Sequence, residues 1–120
     1  MATTKFKGQD VELLGNEVNV GDKAPAITVV NSDGLGDIVV GGATGTKQLI
    51  IVVPSLDTGV CATETRNFNS KAASLGDVTA TIVSLDLPFA AGRFCQAEGI
   101  NDLTVTSDFR NKDFANAYGV

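Results

Sequence analysis

A run of five aliphatic residues, 49–53, constrains the fold of this chain more than any other stretch. The run is short, rich in branched side chains and without a polar face, so it predicts a strand buried on both faces of a parallel sheet. Pro54 cannot donate to a sheet ladder, and we expect the strand to stop there. Residues 57–59 are turn and helix-start types. Cys61 is therefore expected in the first turn of a helix, just beyond the carboxyl end of a central strand.

The position predicted for Cys61 has chemical consequences. The first turn of a helix exposes unpaired backbone N–H groups and the positive end of the helix dipole, which favour a thiolate over a thiol. Open α/β sheets also place their sites beyond the carboxyl ends of strands. Thr58 is near enough in sequence for its hydroxyl to lie beside the sulfur or its substrate. The alternative is that Cys61 is a small buried apolar residue, the commonest fate of a free cysteine. The spacing alone leaves both interpretations open.

The composition excludes several kinds of site. The chain has no histidine, which excludes Ser-His-Asp triads, Cys-His pairs and imidazole metal sites. Its two cysteines are too few for a disulfide scaffold and do not form a Cys-x-x-Cys motif. A reactive cysteine here would depend on a helix end, a hydroxyl or a guanidinium for its activation. We expect no metal and no cofactor.

The charge pattern and the hydropathy pattern restrict the partners and the location. A net charge of −5, with no cluster of lysine and arginine, argues against nucleic acid and anionic membranes as partners. No apolar run approaches the length of a membrane span, and the first residues lack the apolar core of a signal peptide. We therefore expect one domain over residues 1–120, located in the cytoplasm.

The part of the chain before the aliphatic run predicts short strands joined by turns. Residues 1–22 favour a hairpin laid on the domain, and the segments 27–30 and 37–40 favour strands. The glycine-rich segment 41–46 lacks the Gly-Lys-Ser/Thr ending of a phosphate loop and precedes a strand instead of a helix. We interpret it as a connector.

Two apolar stripes at helical spacing follow the aliphatic run. The first helix, ending at 76–77, would bury residues 61, 65, 68, 72 and 75. A strand over 79–85 would complete a βαβ unit. The second helix, opening at 86–89, would bury residues 87, 90, 91, 94 and 95. Gly99 is expected to end the second helix. On this pattern alone Cys95 is a packing residue more often than a chemical one.

The end of the chain predicts one more strand and one more helix. The strand covers 103–106, and Ser107 or Asp108 would cap a helix that carries Phe109, Phe114 and Tyr118 and ends at Gly119. Such an alternation of strands and helices would leave a sheet edge exposed.

Three separated motifs resemble the peroxiredoxin family, and their wording is similar to its bacterial thiol peroxidase branch. The first is Pro-Ser-Leu-Asp-Thr-Gly-Val-Cys at 54–61. The second is Asp-Leu-Pro-Phe-Ala at 86–90, followed by Arg-Phe-Cys at 93–95. The third is Ser-Asp-Phe-Arg at 107–110, with Ala-Tyr-Gly-Val at 117–120. The resemblance covers essentially the whole chain.

The resemblance implies an α/β, thioredoxin-like fold, with a central mixed sheet flanked by helices and an N-terminal β-hairpin. It also implies a peroxidase that reduces hydrogen peroxide and organic or lipid hydroperoxides. Cys61 would be the peroxidatic cysteine, with Thr58 aligning thiolate and peroxide and Pro54 shielding the pocket from water. Cys95 would be the resolving cysteine, forming an intrachain disulfide that thioredoxin reduces. A homodimer is implied as well.

The chain also departs from the family pattern. Members of the family continue past Val120 with further strands and a C-terminal helix, which are absent from this chain. One of those strands carries an arginine that pairs with the peroxidatic thiolate, and neither Arg66 nor Arg93 matches its place. The alternative functions are therefore a catalytically impaired, truncated thioredoxin-fold module and a redox sensor or relay. Since Cys61 and Cys95 are expected on different helices, we predict that one or both helices partly unwind before a disulfide forms.

Overall fold

The computed structural model describes residues 2–72, 74 and 76–120. Within these residues, two strands form an N-terminal hairpin: β1 (Thr3–Phe6) and β2 (Gln9–Glu12). Five strands form the main sheet: β3 (Ile27–Asn31), β4 (Asp37–Val40), β5 (Lys47–Val52), β6 (Val78–Ser84) and β7 (Thr104–Ser107). The helices are α1 (Gly59–Ala72), α2 (Pro88–Glu98) and α3 (Asp113–Tyr118). Among the residues described, no helix combines the length and the apolar character needed to cross a membrane.

The main sheet is mixed, as predicted. Its strand order is β4-β3-β7-β6-β5. Strands β5, β6 and β7 are parallel to one another, whereas β3 is antiparallel to both β4 and β7. The βαβ unit formed by β5, α1 and β6 is confirmed. Because β5, β6 and β7 are parallel and connected through α1 and α2, the loops that follow them lie together at the carboxyl end of the sheet.

Strand β5 lies at the edge of the described sheet, and the prediction of a central strand is therefore wrong. Its two faces are covered, because Ile51 belongs to one apolar core and Ile50 packs against the other. Its outer edge has no partner strand among the described residues, and Val52 is 43% exposed. The aliphatic run indicated that both faces of the strand would be covered, but it gave no information about which strands would pair with it on either side. The strand ends before Pro54, as predicted.

The helices divide between the two faces of the sheet. The first core contains Ile51, Ile82, Ala91 and Val105, and both cysteines pack against it from α1 and α2. The second core, on the opposite face, contains Val29, Val40, Val83 and Phe114, the last of these from α3. The two cysteine-bearing helices therefore share one face of the sheet.

The predicted helix stripes are confirmed in α1 and only partly in α2. In α1, Thr65 is fully buried, and the half-buried residues 61, 68 and 72 pack on the core. Leu75 lies outside the described residues. In α2, Ala91 is buried and residues 94 and 95 pack on the core, but Leu87 and Ala90 are exposed. Leu87 has an extended backbone (φ −58°, ψ 143°) because the helix begins at Pro88, so the helical spacing does not extend back to it.

Two further expectations need correction. Phe109 precedes α3 and is 50% exposed, since the helix begins only at Asp113. Neither Ser107 nor Asp108 is the N-cap residue, which is Lys112 because the helix starts later than expected. Asp108 still binds the start of α3 from a distance, since its carboxylate accepts bonds from the backbone N–H groups of Phe114 (3.0 Å) and Ala115 (2.9 Å).

The N-terminal hairpin is confirmed, but its strands do not lie on the domain. All eight residues of β1 and β2 are exposed. The contact with the domain comes from the next segment, where the Asn16 N–H donates to the carbonyl of Asn116 (2.8 Å). A Cβ at Gly15 would lie 2.3 Å from the same carbonyl oxygen, so this close approach requires glycine.

Candidate active site

The loop between β5 and α1 is held by hydrogen bonds to Asp86. The Ser55 hydroxyl donates to one carboxylate oxygen of Asp86 and the Leu56 N–H donates to the other, each at 2.7 Å. Leu56 is buried, with 2% of its surface exposed, and belongs to the first core. Pro54 is exposed at the start of the loop. The loop that precedes Cys61 is therefore anchored by one carboxylate and one buried side chain.

Cys61 lies in the first turn of α1, as predicted. It is the third residue of the helix and is half-buried against the first core. The first regular bond of the helix runs from the Ala62 N–H to the carbonyl of Thr58 (2.8 Å). The N–H groups before Ala62 therefore lie at the positive end of the helix, and this first turn contains no acidic residue.

Two threonines flank Cys61 along the chain. The hydroxyl of Thr58 donates to the carbonyl of Ser55 (3.1 Å), so its proton is used within the loop in this conformation. To donate to a thiolate or a peroxide, Thr58 would have to release that carbonyl. The hydroxyl of the buried Thr65 donates to the carbonyl of Cys61 (2.8 Å) and fixes the backbone of the first turn.

Cys95 lies in a different environment, near the end of α2. It lines a groove of about 870 Å³ between α2 and the turn after β3, together with Ser32, Asp33, Phe89 and Arg93. Burial raises the pKa of the Cys95 thiol, a hydrogen bond with the Ser32 side chain partly offsets this rise, and the Asp33 carboxylate adds to it. The protein environment therefore favours the neutral thiol at Cys95.

The two cysteines are free thiols at different levels of neighbouring helices. An α-helix rises about 1.5 Å per residue, so Cys61 lies about 3 Å along α1 and Cys95 about 10 Å along α2. Both helices start from the carboxyl end of the sheet. The offset along the helices therefore adds to the lateral distance between the helix axes, which is about 8–10 Å in packed helices. A disulfide requires Cα atoms within about 7 Å. This helix geometry agrees with the prediction that a helix partly unwinds before a disulfide forms, and the unwinding stays a prediction.

Polar contacts hold α1 against the end of α2. Arg66 forms an ion pair with Glu98 (3.3 Å), which places this arginine beside α2. The Asn69 side chain donates to the carbonyl of Gly99 and accepts bonds from the N–H groups of Asn101 and Asp102. Gly99 ends α2 in a left-handed conformation, as predicted, and its N–H donates to the Cys95 carbonyl.

Neither Asp86 nor Asn69 stands out in the sequence as a site residue. Asp86 lies in the second motif, but it was interpreted as part of a helix opening. A signal for its role was present, because Asp86 lies two residues after the end of β6 and the loops after parallel strands meet at the carboxyl end of a sheet. Asn69 carried no such signal, since it lies within a helix and its partners are about thirty positions away.

Comparisons with known proteins agree with this geometry. The family model described as Redoxin matches residues 19–120. A thiol peroxidase from Campylobacter jejuni is 52% identical over 120 residues, covering all of this chain and 67% of that protein. A thiol peroxidase from Halalkalibacterium halodurans is 49% identical, covering all of this chain and 72% of that protein.

A solved structure extends the agreement to the fold. The peroxiredoxin-like protein from Aquifex aeolicus superposes with a TM-score of 0.93 at 51% identity, covering 98% of this chain and 68% of that one. The thioredoxin-like peroxiredoxin fold predicted from the motifs is thereby confirmed. The chain belongs to the Redoxin family and, within it, to the thiol peroxidase branch of the peroxiredoxins.

Proposed function

We propose that this chain reduces hydrogen peroxide and organic or lipid hydroperoxides through Cys61 and Cys95. That it is a peroxidase-type oxidoreductase follows from its family. The particular roles of the residues and the identity of the reductant are the proposal. The observation that carries it is the position of Cys61, half-buried in the first turn of α1, a turn that contains no acidic residue.

The first step oxidises Cys61. Its thiolate attacks the distal oxygen of the hydroperoxide, the O–O bond breaks, and the alkoxide or hydroxide leaves and takes up a proton. Cys61 keeps the transferred oxygen as a sulfenic acid. The hydroxyl of Thr58 would align thiolate and peroxide after releasing the Ser55 carbonyl, and Pro54 would limit the access of water.

The second step joins the two cysteines. The Cys95 thiolate attacks the sulfur of the sulfenic acid, the S–O bond breaks, and the oxygen leaves as water after protonation. Two observations support a local unwinding before this step. The helix geometry keeps the two Cα atoms apart. The folded environment also raises the pKa of Cys95, so that its exposure to solvent would make the thiolate more accessible.

A dithiol protein then returns both cysteines to thiols by exchange. We propose thioredoxin as that reductant, a homodimer as the assembled state and the cytoplasm as the location. The direct test is peroxide consumption coupled to thioredoxin, thioredoxin reductase and NADPH. We expect turnover with wild type and none with Cys61→Ser. The proposal of thioredoxin fails if wild type turns over with dithiothreitol and not with thioredoxin.

The proposed unwinding has its own test in amide hydrogen exchange. The reduced and disulfide forms should differ in protection over residues 58–64, over 90–98, or over both. A Cys95→Ser sample treated in the same way is the control, because it cannot form the intrachain disulfide. Equal protection of the two wild-type forms over both segments would contradict the proposed unwinding.

A further inference from the structure

Asp86 connects the segments that precede the two cysteine-bearing helices. It is half-buried between β6 and α2, and its carboxylate accepts bonds from Ser55 Oγ, from the Leu56 N–H and from Ser84 Oγ at 2.7, 2.7 and 2.9 Å. Its own carbonyl accepts a bond from Ser107 Oγ. The side chain holds the loop before Cys61, while the backbone of the same residue leads into the helix of Cys95.

The chemistry of this carboxylate matters as much as its position. Three donors converge on it, and bonds from neutral donors to an ionised acceptor are shorter and stronger than bonds between neutral groups. An amide at this position could accept with one oxygen only, and its NH₂ group would face a donor. A carboxylate at position 86 therefore holds the loop more strongly than an amide would, because the Ser55 hydroxyl would have to turn and accept from the NH₂ group.

We propose that Asp86 is a positioning residue that affects the two proposed steps of the reaction in opposite directions. By holding residues 55 and 56, it keeps the first turn of α1 in the arrangement that reacts with peroxide. The same bonds must loosen before Cys61 can approach Cys95, so they slow the formation of the disulfide. The proposal rests on the proposed function, because it concerns the rates of those two steps.

Asp108 provides a matched control for this role. Its carboxylate also accepts two backbone N–H bonds and is more buried, with 4% of the residue exposed. Its partners belong to α3, which packs on the opposite face of the sheet from the cysteines. Asp108→Asn therefore removes a comparable buried charge, and we expect it to lower the stability without altering the two steps selectively.

The experiment is rapid-quench intact mass spectrometry of the full chain after mixing with excess peroxide. It distinguishes two mass changes. The first is the gain of one oxygen at a rate that depends on the peroxide concentration, and the second is the loss of water that forms the disulfide at a rate that does not. With Asp86→Asn we expect oxidation of Cys61 to be about tenfold slower and disulfide formation about tenfold faster, the scale of one charge-assisted hydrogen bond. Ser55→Ala, which removes one of the three donors, should shift both rates in the same directions by a smaller factor.

The outcomes separate this inference from the proposed function. Opposite shifts in Asp86→Asn, absent from Asp108→Asn, would support the positioning role. Two rates that fall together, or that both stay unchanged in Asp86→Asn and Ser55→Ala, would overturn it while leaving the proposed function intact. If Asp86→Asn does not fold, Ser55→Ala decides alone. A folded wild type that forms neither sulfenic acid nor disulfide would overturn both proposals.

Discussion

The two cysteines of this chain lie in environments that differ in helix position and in nearby charge. Cys61 lies in the first turn of a helix, and that turn contains no acidic residue. Cys95 lies near the end of the next helix, where burial and the Asp33 carboxylate raise the pKa of its thiol. Both cysteines pack against the same core. The two sites therefore differ in helix position and in the cause of the Cys95 shift: Cys61 lies at the start of its helix, whereas burial, more than the Asp33 charge, raises the pKa of Cys95.

The largest expected effect separates the two cysteines by substitution. Cys61→Ser should abolish the reaction with peroxide, because the nucleophile is lost. Cys95→Ser should still be oxidised, but the sulfenic acid should persist. A dimedone adduct measured by mass spectrometry checks both statements: it should form on Cys95→Ser and not on Cys61→Ser. An adduct on Cys95 in the Cys61→Ser variant would reverse the assignment.

The second prediction concerns the pH dependence of alkylation. Because the folded state raises the pKa of Cys95, the folded chain retains that proton to higher pH than the unfolded chain, whose cysteines titrate near about 8.5. In Cys61→Ser, the rate of iodoacetamide modification should therefore rise at higher pH in the folded protein than in urea. At neutral pH we expect iodoacetamide to modify Cys95 in Cys61→Ser about tenfold or more slowly than it modifies Cys61 in Cys95→Ser.

Two variants sharpen the pH prediction because they act in opposite directions. Asp33→Asn should lower the pKa of Cys95, and Ser32→Ala should raise it further, since these side chains raise and lower the pKa respectively. Identical alkylation profiles for folded and unfolded Cys61→Ser would contradict the environment assigned to Cys95. The raised pKa of Cys95 also makes the free energy of unfolding depend on pH. The contribution of Cys95 to stability is present below the pKa of the unfolded chain and is lost as the pH rises through the pKa of the folded chain.

The third prediction tests the connection between the two helices. Asn69→Ala removes the side chain that bonds to Gly99, Asn101 and Asp102, and it should lower the free energy of unfolding by about 1–2 kcal/mol. Urea unfolding measures this loss. Amide exchange should accelerate at residues 101 and 102, whose N–H groups lose their acceptor. Unchanged exchange at both amides would show that these bonds do not hold in solution.

The smallest effect is expected at Arg66. Its ion pair with Glu98 is exposed, so Arg66→Gln should change the free energy of unfolding by less than about 1 kcal/mol. We also expect an unchanged rate of Cys61 oxidation, because Arg66 is engaged with α2. A large fall in that rate, measured by rapid-quench mass spectrometry, would mean that Arg66 moves to the thiolate during the reaction.

The sequence predicted the features that depend on local chemistry. The branched run, Pro54 and the turn residues that follow placed Cys61 in the first turn of α1. Gly99 was correctly predicted to end α2, because the left-handed conformation favours glycine. These signals lie within a few residues of the feature that they specify.

Features that depend on distant residues were not predictable in the same way. The edge position of β5 depends on which strands pair with it, and the residues of the aliphatic run do not specify those partners. The role of Asp86 depends on donors about thirty positions earlier in the chain. The spacing pattern assigned Cys95 to packing, and only the resemblance of the second motif assigned it a chemical role.

The most direct test of the two-cysteine account is the intact mass of the wild-type chain after one equivalent of hydrogen peroxide. The account predicts the loss of two hydrogens, with a peptide map that joins Cys61 to Cys95, and no such loss in either cysteine-to-serine variant. A stable gain of oxygen without a disulfide, or a folded chain whose Cys61 does not react, would contradict it.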